Sequence, residues 1–209
     1  MGYFPFFMEI EGKKGVIAGG GRIAARKVEK LLEFGPNLVV IAPDFEESLE
    51  RLCEKQESVS LVKRRITEED LAEAAFVIAA TDEEAVNGQI SEYCRRHCIP
   101  VNVVDDREKC TFFFPALIKQ GPLTVGISTD GRSPAGAAWV RRRLQQELPD
   151  GIGETIELLG QLREEVLLSC TDQRKRADML EKLFTYSLRR EGEVPLEELR
   201  ALLHGMLSG

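Results

Sequence analysis

The stretch that decides the fold is Lys14-Gly15-Val16-Ile17-Ala18-Gly19-Gly20-Gly21-Arg22-Ile23-Ala24. An apolar run ends in three glycines, and Val28 and Leu31 then follow Ala24 at helical spacing until Gly35-Pro36 ends the pattern. The stretch therefore predicts a strand, a glycine turn and a helix.

The same rhythm continues through the first half of the chain. Apolar runs at 38–42, 59–62, 76–80 and 101–104 alternate with helical patterns at 44–57, 68–75 and 83–97. Alternation of short strands with helices is typical of a parallel sheet that carries helices on both faces. We therefore expect an α/β protein with a Rossmann-like parallel-sheet domain over residues 1–112.

The pattern changes after residue 112. Gly121-Pro122 precedes a predicted strand at 123–128, and Ser133-Pro134 has the residue types of an N-cap and first helical position for a helix that reaches Leu148. Residues 152–209 carry helical patterns and no strand signal. We expect a small α+β segment at 113–149 and a helical tail domain at 150–209.

Composition limits the class of protein. The net charge of −7 argues against a protein that mainly grips nucleic acid. No apolar run approaches the ~20 residues that span a bilayer, and the first residues lack a signal-peptide pattern, so we expect a cytoplasmic protein with no membrane partner. The five cysteines are scattered, which favours reduced thiols. Cys94, His97 and Cys98 have no second ligand pair, so no metal site is predicted.

The glycine turn carries the first functional signal. Gly19-x-Gly21-x-x-Ala24 matches the dinucleotide fingerprint, in which backbone N–H groups approach a pyrophosphate at a helix N-terminus. Asp44 follows the second predicted strand, where a carboxylate can bind ribose hydroxyls and repel the 2′-phosphate of NADP. The pattern thus favours NAD, although Arg22 leaves room for a phosphate contact. Alternatively, Asp44 caps the next helix with Glu47 completing a capping box, a role compatible with the first.

A second signal lies at the end of the strand 101–104. Asp105 leaves this strand where the carboxyl ends of a parallel sheet form a cleft, so it is a candidate for proton transfer. A carboxylate is favoured because the chain has only two histidines. Asp105 as a helix-capping loop residue, and Asp106 as the functional carboxylate, both stay open.

The loop 128–134 is a candidate anion site. It follows a strand and precedes a capped helix, so hydroxyl and N–H groups meet there. Arg132, with the run Arg141–Arg143 farther along the helix, has the charge to bind a carboxylated substrate, although at least two of those three arginines fit a solvated helix face.

Six motifs in order carry a family resemblance: Phe4–Phe7, Gly19–Lys27, Ala79–Asp82 with Val86-Asn87, Asn102–Asp105, Phe112–Pro115 and Ser128–Pro134. On these residues the sequence resembles the precorrin-2 dehydrogenase and sirohydrochlorin ferrochelatase family of siroheme biosynthesis, including the amino-terminal half of siroheme synthase. The resemblance covers nearly the whole chain. It implies an NAD-binding Rossmann domain, a central dimerisation segment at 113–149, a helical tail and a homodimer.

The resemblance also implies an activity and its residues. The reaction oxidises precorrin-2 to sirohydrochlorin with NAD, and some members also insert ferrous or cobaltous ion, a step that the sequence leaves open. Asp105 corresponds to the residue tied to both activities. The dinucleotide contacts fall on Arg22, Ile23, Pro43, Asp44 and Thr81, beside Gly19 and Gly21. Ser128, Thr129 and Arg132 lie where the substrate is handled, with Thr129 standing where relatives can carry a serine.

Two other functions stay open. One is an NAD-sensing regulatory module whose helical tail meets a partner, and the other is a dehydrogenase acting on a different acidic substrate. Because the sequence ends at Gly209 without a methyltransferase half, we expect another protein to supply precorrin-2.

Overall fold

The computed structural model describes residues 4–208, which form two compact units, Phe4–Phe114 and residues 115–208. Residues 1–3 and 209, the outer ends of the first and last predicted domains, lie outside the described residues. Each unit has its own hydrophobic core.

The first unit is a parallel sheet with alternating helices. Its strands are β1 (Lys14–Ala18), β2 (Asn37–Ala42), β3 (Val59–Lys63), β4 (Phe76–Ala79) and β5 (Val101–Val103). Its helices are α1 (Arg22–Leu32), α2 (Glu47–Cys53), α3 (Glu68–Leu71) and α4 (Glu84–Arg96). The strand order is β3-β2-β1-β4-β5 and every pair is parallel, which confirms the Rossmann-like sheet.

This strand order creates a switch point between β1 and β4. The chain runs outward from β1 to β3 on one side and then returns to build β4 and β5 on the other. Ligands of such sheets bind at the carboxyl ends of the strands beside the switch point. Gly19 follows β1 and Ala80 follows β4, so both lie at that position.

Burial of both sheet faces explains the apolar strands. Ile17 and Ile78 are paired in register and pack with α1 and α2 on one face, whereas Val16 and Val77 pack with α3 and α4 on the other. All four side chains are fully buried. Since successive residues of a strand point to opposite faces, both must be apolar when helices cover both.

The ends of three predicted elements differ from the structure. The helix predicted at 44–57 is α2, which begins only at Glu47 because Glu46 donates its backbone N–H to the Gly20 carbonyl at 2.8 Å. The helix predicted at 68–75 is the single turn α3, and Glu73 then adopts a positive φ of 61° that ends helical geometry. β5 ends at Val103, one residue before the predicted end.

The second unit begins with a hairpin and continues as helices. Its elements are β6 (Ala116–Gln120), β7 (Leu123–Ile127), α5 (Pro134–Glu147), α6 (Ile152–Ser169), α7 (Gln173–Leu188) and α8 (Leu196–Leu207). β6 and β7 are antiparallel, and Gly121 turns between them with a φ of +52°. The sequence predicts β7 and not β6, whose Lys119 and Gln120 hide the strand pattern.

The helical tail has a separate core formed by α6, α7 and α8. Leu162, Leu183 and Leu199 are fully buried in it. Two hydroxyls, those of Thr155 and Ser187, are also fully buried and lie 3.1 Å apart. Among the helices of residues 4–208, none is long and apolar enough to cross a membrane.

Candidate functional site

A cavity of about 750 Å³ opens at the switch point of the first unit. We call it the glycine-loop cavity, because the loop Gly19–Gly21 forms one wall. The loop after β2, the connection from β3 to α3 and the loop between β4 and α4 form the others. Five predicted cofactor-binding residues line it together: Gly19, Gly21, Pro43, Asp44 and Thr81.

The three glycines of the loop differ in their surroundings. A Cβ on Gly19 would lie 2.3 Å from the carbonyl oxygen of Ala80, and one on Gly20 would lie 2.0 Å from that of Asp44. Gly19 also has a φ of +123°, which favours glycine. Around Gly21, in contrast, no heavy atom lies within 4 Å of an added Cβ. Packing therefore requires the first two glycines, while the third leaves the backbone open to a ligand.

The N-terminus of α1 is suited to an anion. Gly21 is the N-cap, no side chain caps the helix, and its first turn carries no acidic residue. The first N–H groups of a helix have no intrahelical acceptor, and the helix dipole is positive at this end. Arg22 and Ile23 begin the helix with exposed side chains. The backbone thus fits the pyrophosphate of a dinucleotide.

Asp44 is held by an ion pair rather than by a helix cap. Its Oδ1 lies 3.0 Å from Nζ of Lys63, at the end of β3. The alternative that Asp44 caps α2 is wrong, because the N-cap is Glu46 and no side chain caps that helix. The Asp44 side chain is 87% exposed, so the carboxylate has room to accept ribose hydroxyls as well.

Thr81 is fixed by Asn87, a buried residue of α4. The Thr81 hydroxyl donates to Asn87 Oδ1 at 2.7 Å, and Asn87 Nδ2 donates to the Thr81 carbonyl at 2.9 Å. The hydroxyl is thereby used within the protein, so Thr81 shapes the cavity wall. The sequence motif contains Asn87 but gave no role for it.

Two ion pairs hold the connection from β3 to α3. Arg65 Nη1 lies 3.0 Å from Glu83 Oε1, and both residues line the cavity. Arg64 donates two hydrogen bonds of 2.6 Å to the Asp70 carboxylate, which lowers the pKa of Asp70 to about 2. Asp70 also accepts the backbone N–H of Thr67 in a capping box.

Asp105 lies in the turn after β5, apart from the residues that line the glycine-loop cavity. It is exposed, has a φ of +58°, and forms no hydrogen bond or ion pair with residues 4–208. Its neighbour Asp106 pairs with Lys109 at 2.6 Å, which lowers the pKa of Asp106. Of the two adjacent carboxylates, Asp105 is thus the one available to a ligand.

The structure gives the cysteine and histidine cluster a packing role. Burial raises the pKa of the Cys94 thiol to about 11, which opposes thiolate formation. The His97 ring stacks on Tyr93, and its Nδ1 lies 2.9 Å from the Tyr93 carbonyl. Within residues 4–208, no three His, Cys, Asp or Glu side chains are grouped to hold a metal ion.

The comparison with protein families places the first unit. Residues 6–116 match the family model described as "Putative NAD(P)-binding". The chain belongs to this NAD(P)-binding family. Residues 120–147, directly after this match, fit the model described as "Sirohaem biosynthesis protein central".

Relatives and a solved structure agree with these matches. Siroheme synthase of Nitrosospira multiformis is 41% identical over 169 residues, which cover 79% of this chain and 36% of that protein. Siroheme synthase 2 of Yersinia enterocolitica is 35% identical over 203 residues, 95% of this chain and 43% of that protein. The chain thus spans less than half the length of these relatives. The structure of SirC, precorrin-2 dehydrogenase, has the same fold, with a TM-score of 0.74, 21% identity and coverage of 99% and 100% of the two chains.

Beyond the NAD(P)-binding unit, the predicted substrate residues form a braced loop. The Thr129 hydroxyl donates to the Ser133 carbonyl at 2.9 Å, and the Ser128 hydroxyl accepts the Asp130 N–H at 3.2 Å. Arg132 is exposed at the same loop. Ser133 caps α5 by accepting the Gly136 N–H at 3.0 Å, as predicted.

The residues that sequence reasoning missed act through long-range contacts. Lys63 binds Asp44 from the neighbouring strand, and Lys27 lies over the ring of Phe114. Gly20 is the most tightly packed glycine of the loop, but the fingerprint stresses its two neighbours. Only the run of three consecutive glycines signals its importance in the sequence.

Proposed function

We propose that the protein oxidises precorrin-2 to sirohydrochlorin with NAD. The observation that carries the proposal is the order of the two family matches, an NAD(P)-binding unit followed at once by a siroheme-biosynthesis segment. The siroheme synthases at 41% and 35% identity support the same pathway. We further propose the division into a cofactor domain (1–112), a dimerisation segment (113–149) and a helical tail (150–209).

The glycine-loop cavity would hold the dinucleotide. Gly21 and the first N–H groups of α1 would bind its pyrophosphate, and Asp44 would accept hydrogen bonds from a ribose. Pro43 and the fixed Thr81 loop would form the walls on either side. We assign NAD rather than NADP to the site because Asp44 places a carboxylate where NADP carries a phosphate.

Oxidation of precorrin-2 removes a hydride and a proton. NAD supplies the hydride acceptor when it is bound. Asp105 would receive the proton, because its carboxylate is exposed, has no protein partner among residues 4–208 and follows the strand beside β4. The tie of Asp106 to Lys109 leaves Asp105 as the candidate base.

Ser128, Thr129 and Arg132 would serve the acidic substrate. Arg132 supplies an exposed cation, and the two hydroxyls keep its loop in shape. A threonine hydroxyl is sufficient for this bracing, so the serine carried by relatives is not required for it.

We also propose a homodimer formed through the central segment. Trp139 is 62% exposed and Leu144 is 39% exposed on α5, within the segment that matches the siroheme-biosynthesis model. Large apolar side chains exposed together favour an interface. Light scattering after gel filtration would report the mass, and Trp139→Glu would convert a dimer to monomers of 23.4 kDa.

An anaerobic absorbance time course with precorrin-2, without and with NAD, tests the activity. We expect sirohydrochlorin only with NAD, and a loss of at least about 100-fold in kcat for Asp105→Asn with NAD affinity unchanged. Asparagine also tolerates the positive φ, so the turn is kept. A folded wild type that binds NAD but forms no sirohydrochlorin would contradict the proposal and favour the NAD-sensing module. Subsequent addition of ferrous or cobaltous ion tests whether insertion exceeds the enzyme-free rate.

A further inference from the structure

Lys27 is a half-buried cation on α1. Its Nζ lies 3.6 Å from the centroid of the Phe114 ring, in a cation–π contact. Phe112 and Phe114 pack on the core formed by α1, α2 and the sheet. The aromatic ring therefore holds one side of the ammonium in place.

The Lys27 ammonium lacks an anionic partner. Among residues 4–208 it forms no hydrogen bond and no ion pair. Partly buried charges are normally paired, because removal from water is costly. Burial, followed by repulsion from Lys30, lowers the pKa of Lys27 to about 8, while Cys110 and Asp105 act in the opposite direction.

Asp105 contributes to the field at Lys27 without pairing with it. The two residues interact electrostatically, yet their charged atoms form no ion pair. Lys27 thus lies near the carboxylate that we propose as the base, with its donor groups still unused. A carboxylate from outside the protein would supply the missing acceptor.

We infer that Lys27 binds a carboxylate of the acidic tetrapyrrole substrate beside Asp105. The inference rests on the proposed function and adds to it a substrate-binding residue. Charge-assisted hydrogen bonds to a carboxylate are the strongest that an ammonium makes. Such a contact would place the macrocycle against Asp105.

The dinucleotide fits Lys27 less well than the substrate does. Lys27 lies five residues beyond Arg22 on α1, a rise of about 7.5 Å from the helix end that suits the pyrophosphate. Neither Lys27 nor Phe114 lines the glycine-loop cavity.

Binding of sirohydrochlorin without NAD, followed by fluorescence between pH 6.5 and 9.5, tests the inference. For the wild type we expect a constant affinity below about pH 8 and a fall of about tenfold per pH unit above it, because only the ammonium form binds. Lys27→Met should bind about tenfold or more weakly with no such pH dependence. Lys27→Arg should restore binding and keep it constant across the range, because arginine stays protonated.

Lys30→Met is the matched control, since it removes an exposed lysine from the same helix. We expect its affinity within about twofold of the wild type. Lys27→Met keeps an apolar side chain on Phe114, and its melting temperature and NAD affinity should match the wild type. Wild-type affinity in Lys27→Met, an equal loss in Lys30→Met, or a loss of NAD affinity in Lys27→Met would each overturn the inference. Failure of the wild type to bind sirohydrochlorin would overturn the proposed function too, whereas a wild type that binds and oxidises separates the two.

Discussion

Lys63 Nζ lies 3.0 Å from Asp44 Oδ1, so a cation from β3 faces the carboxylate that follows β2. The sheet register explains the contact, because Lys63 is paired with Ala42, two residues before Asp44. Both side chains are more than half exposed, so the pair contributes little to stability. Its consequence is for charge at the proposed ribose site, where the cation faces inward only while Asp44 holds it.

Asp44→Ala should shift cofactor preference toward NADP. The variant loses the ribose acceptor and the repulsion of a 2′-phosphate, and it releases Lys63 to bind that phosphate. We expect the NADP-to-NAD affinity ratio to rise about tenfold or more, measured as Kd for both dinucleotides.

The double variant Asp44→Ala with Lys63→Met is the control for this shift. It should lose most of the gain in NADP affinity while binding NAD like Asp44→Ala, because the released cation is absent. An Asp44→Ala variant that weakens both dinucleotides equally would show that Asp44 does not contact this ribose.

Gly20→Ala and Gly21→Ala should separate folding from binding. A methyl on Gly20 would clash with the Asp44 backbone, so we expect a loss of about 1–3 kcal/mol in unfolding free energy. A methyl on Gly21 meets open space, so stability should change by less than about 0.5 kcal/mol. NAD affinity should nevertheless fall at least about tenfold in Gly21→Ala, because the methyl lies where the backbone would meet pyrophosphate. Thermal unfolding and NAD titration measure the two effects. Wild-type NAD affinity in Gly21→Ala would place the pyrophosphate elsewhere.

The sequence predicts the first sheet well because both of its faces are buried. Continuous apolar runs such as 38–42 are required by that burial, and glycines mark the turn at the switch point. The hairpin strand β6 lacks such a run and was missed. The partners of Asp44 and Lys27 depend on strand register and on packing between distant segments, which local spacing does not encode.

Asp70→Asn should destabilise the first unit in a pH-dependent way. Contact with Arg64 lowers the pKa of Asp70 to about 2, so the folded state favours the carboxylate. Such a group stabilises the fold above its unfolded pKa of about 4, and the contribution is lost as pH falls toward 2. We expect a loss of about 1–2 kcal/mol at pH 7, after discounting for the exposure of Arg64, and little difference from the wild type near pH 2.

Asp178→Asn is the matched control for Asp70→Asn. Asp178 pairs with Lys182 at 2.6 Å within α7, but both side chains are about 60% exposed. Its replacement should cost less than about 0.5 kcal/mol at every pH. Urea unfolding at several pH values measures both variants. An Asp70→Asn effect that persists undiminished at pH 2 would contradict the linkage.

The buried hydroxyls of Thr155 and Ser187 should show coupled effects on the helical tail. Each is the other's hydrogen-bond partner at 3.1 Å, and both are fully buried between α6 and α7. Thr155→Val or Ser187→Ala leaves one hydroxyl unpaired, so each should cost about 1–3 kcal/mol. The double variant should cost less than the sum of the two, because no unpaired hydroxyl remains. Urea unfolding followed by the fluorescence of Trp139, the single tryptophan, reports on the second unit. Strict additivity would mean that each hydroxyl finds another partner when the first is removed, and the pair would then not hold α6 to α7.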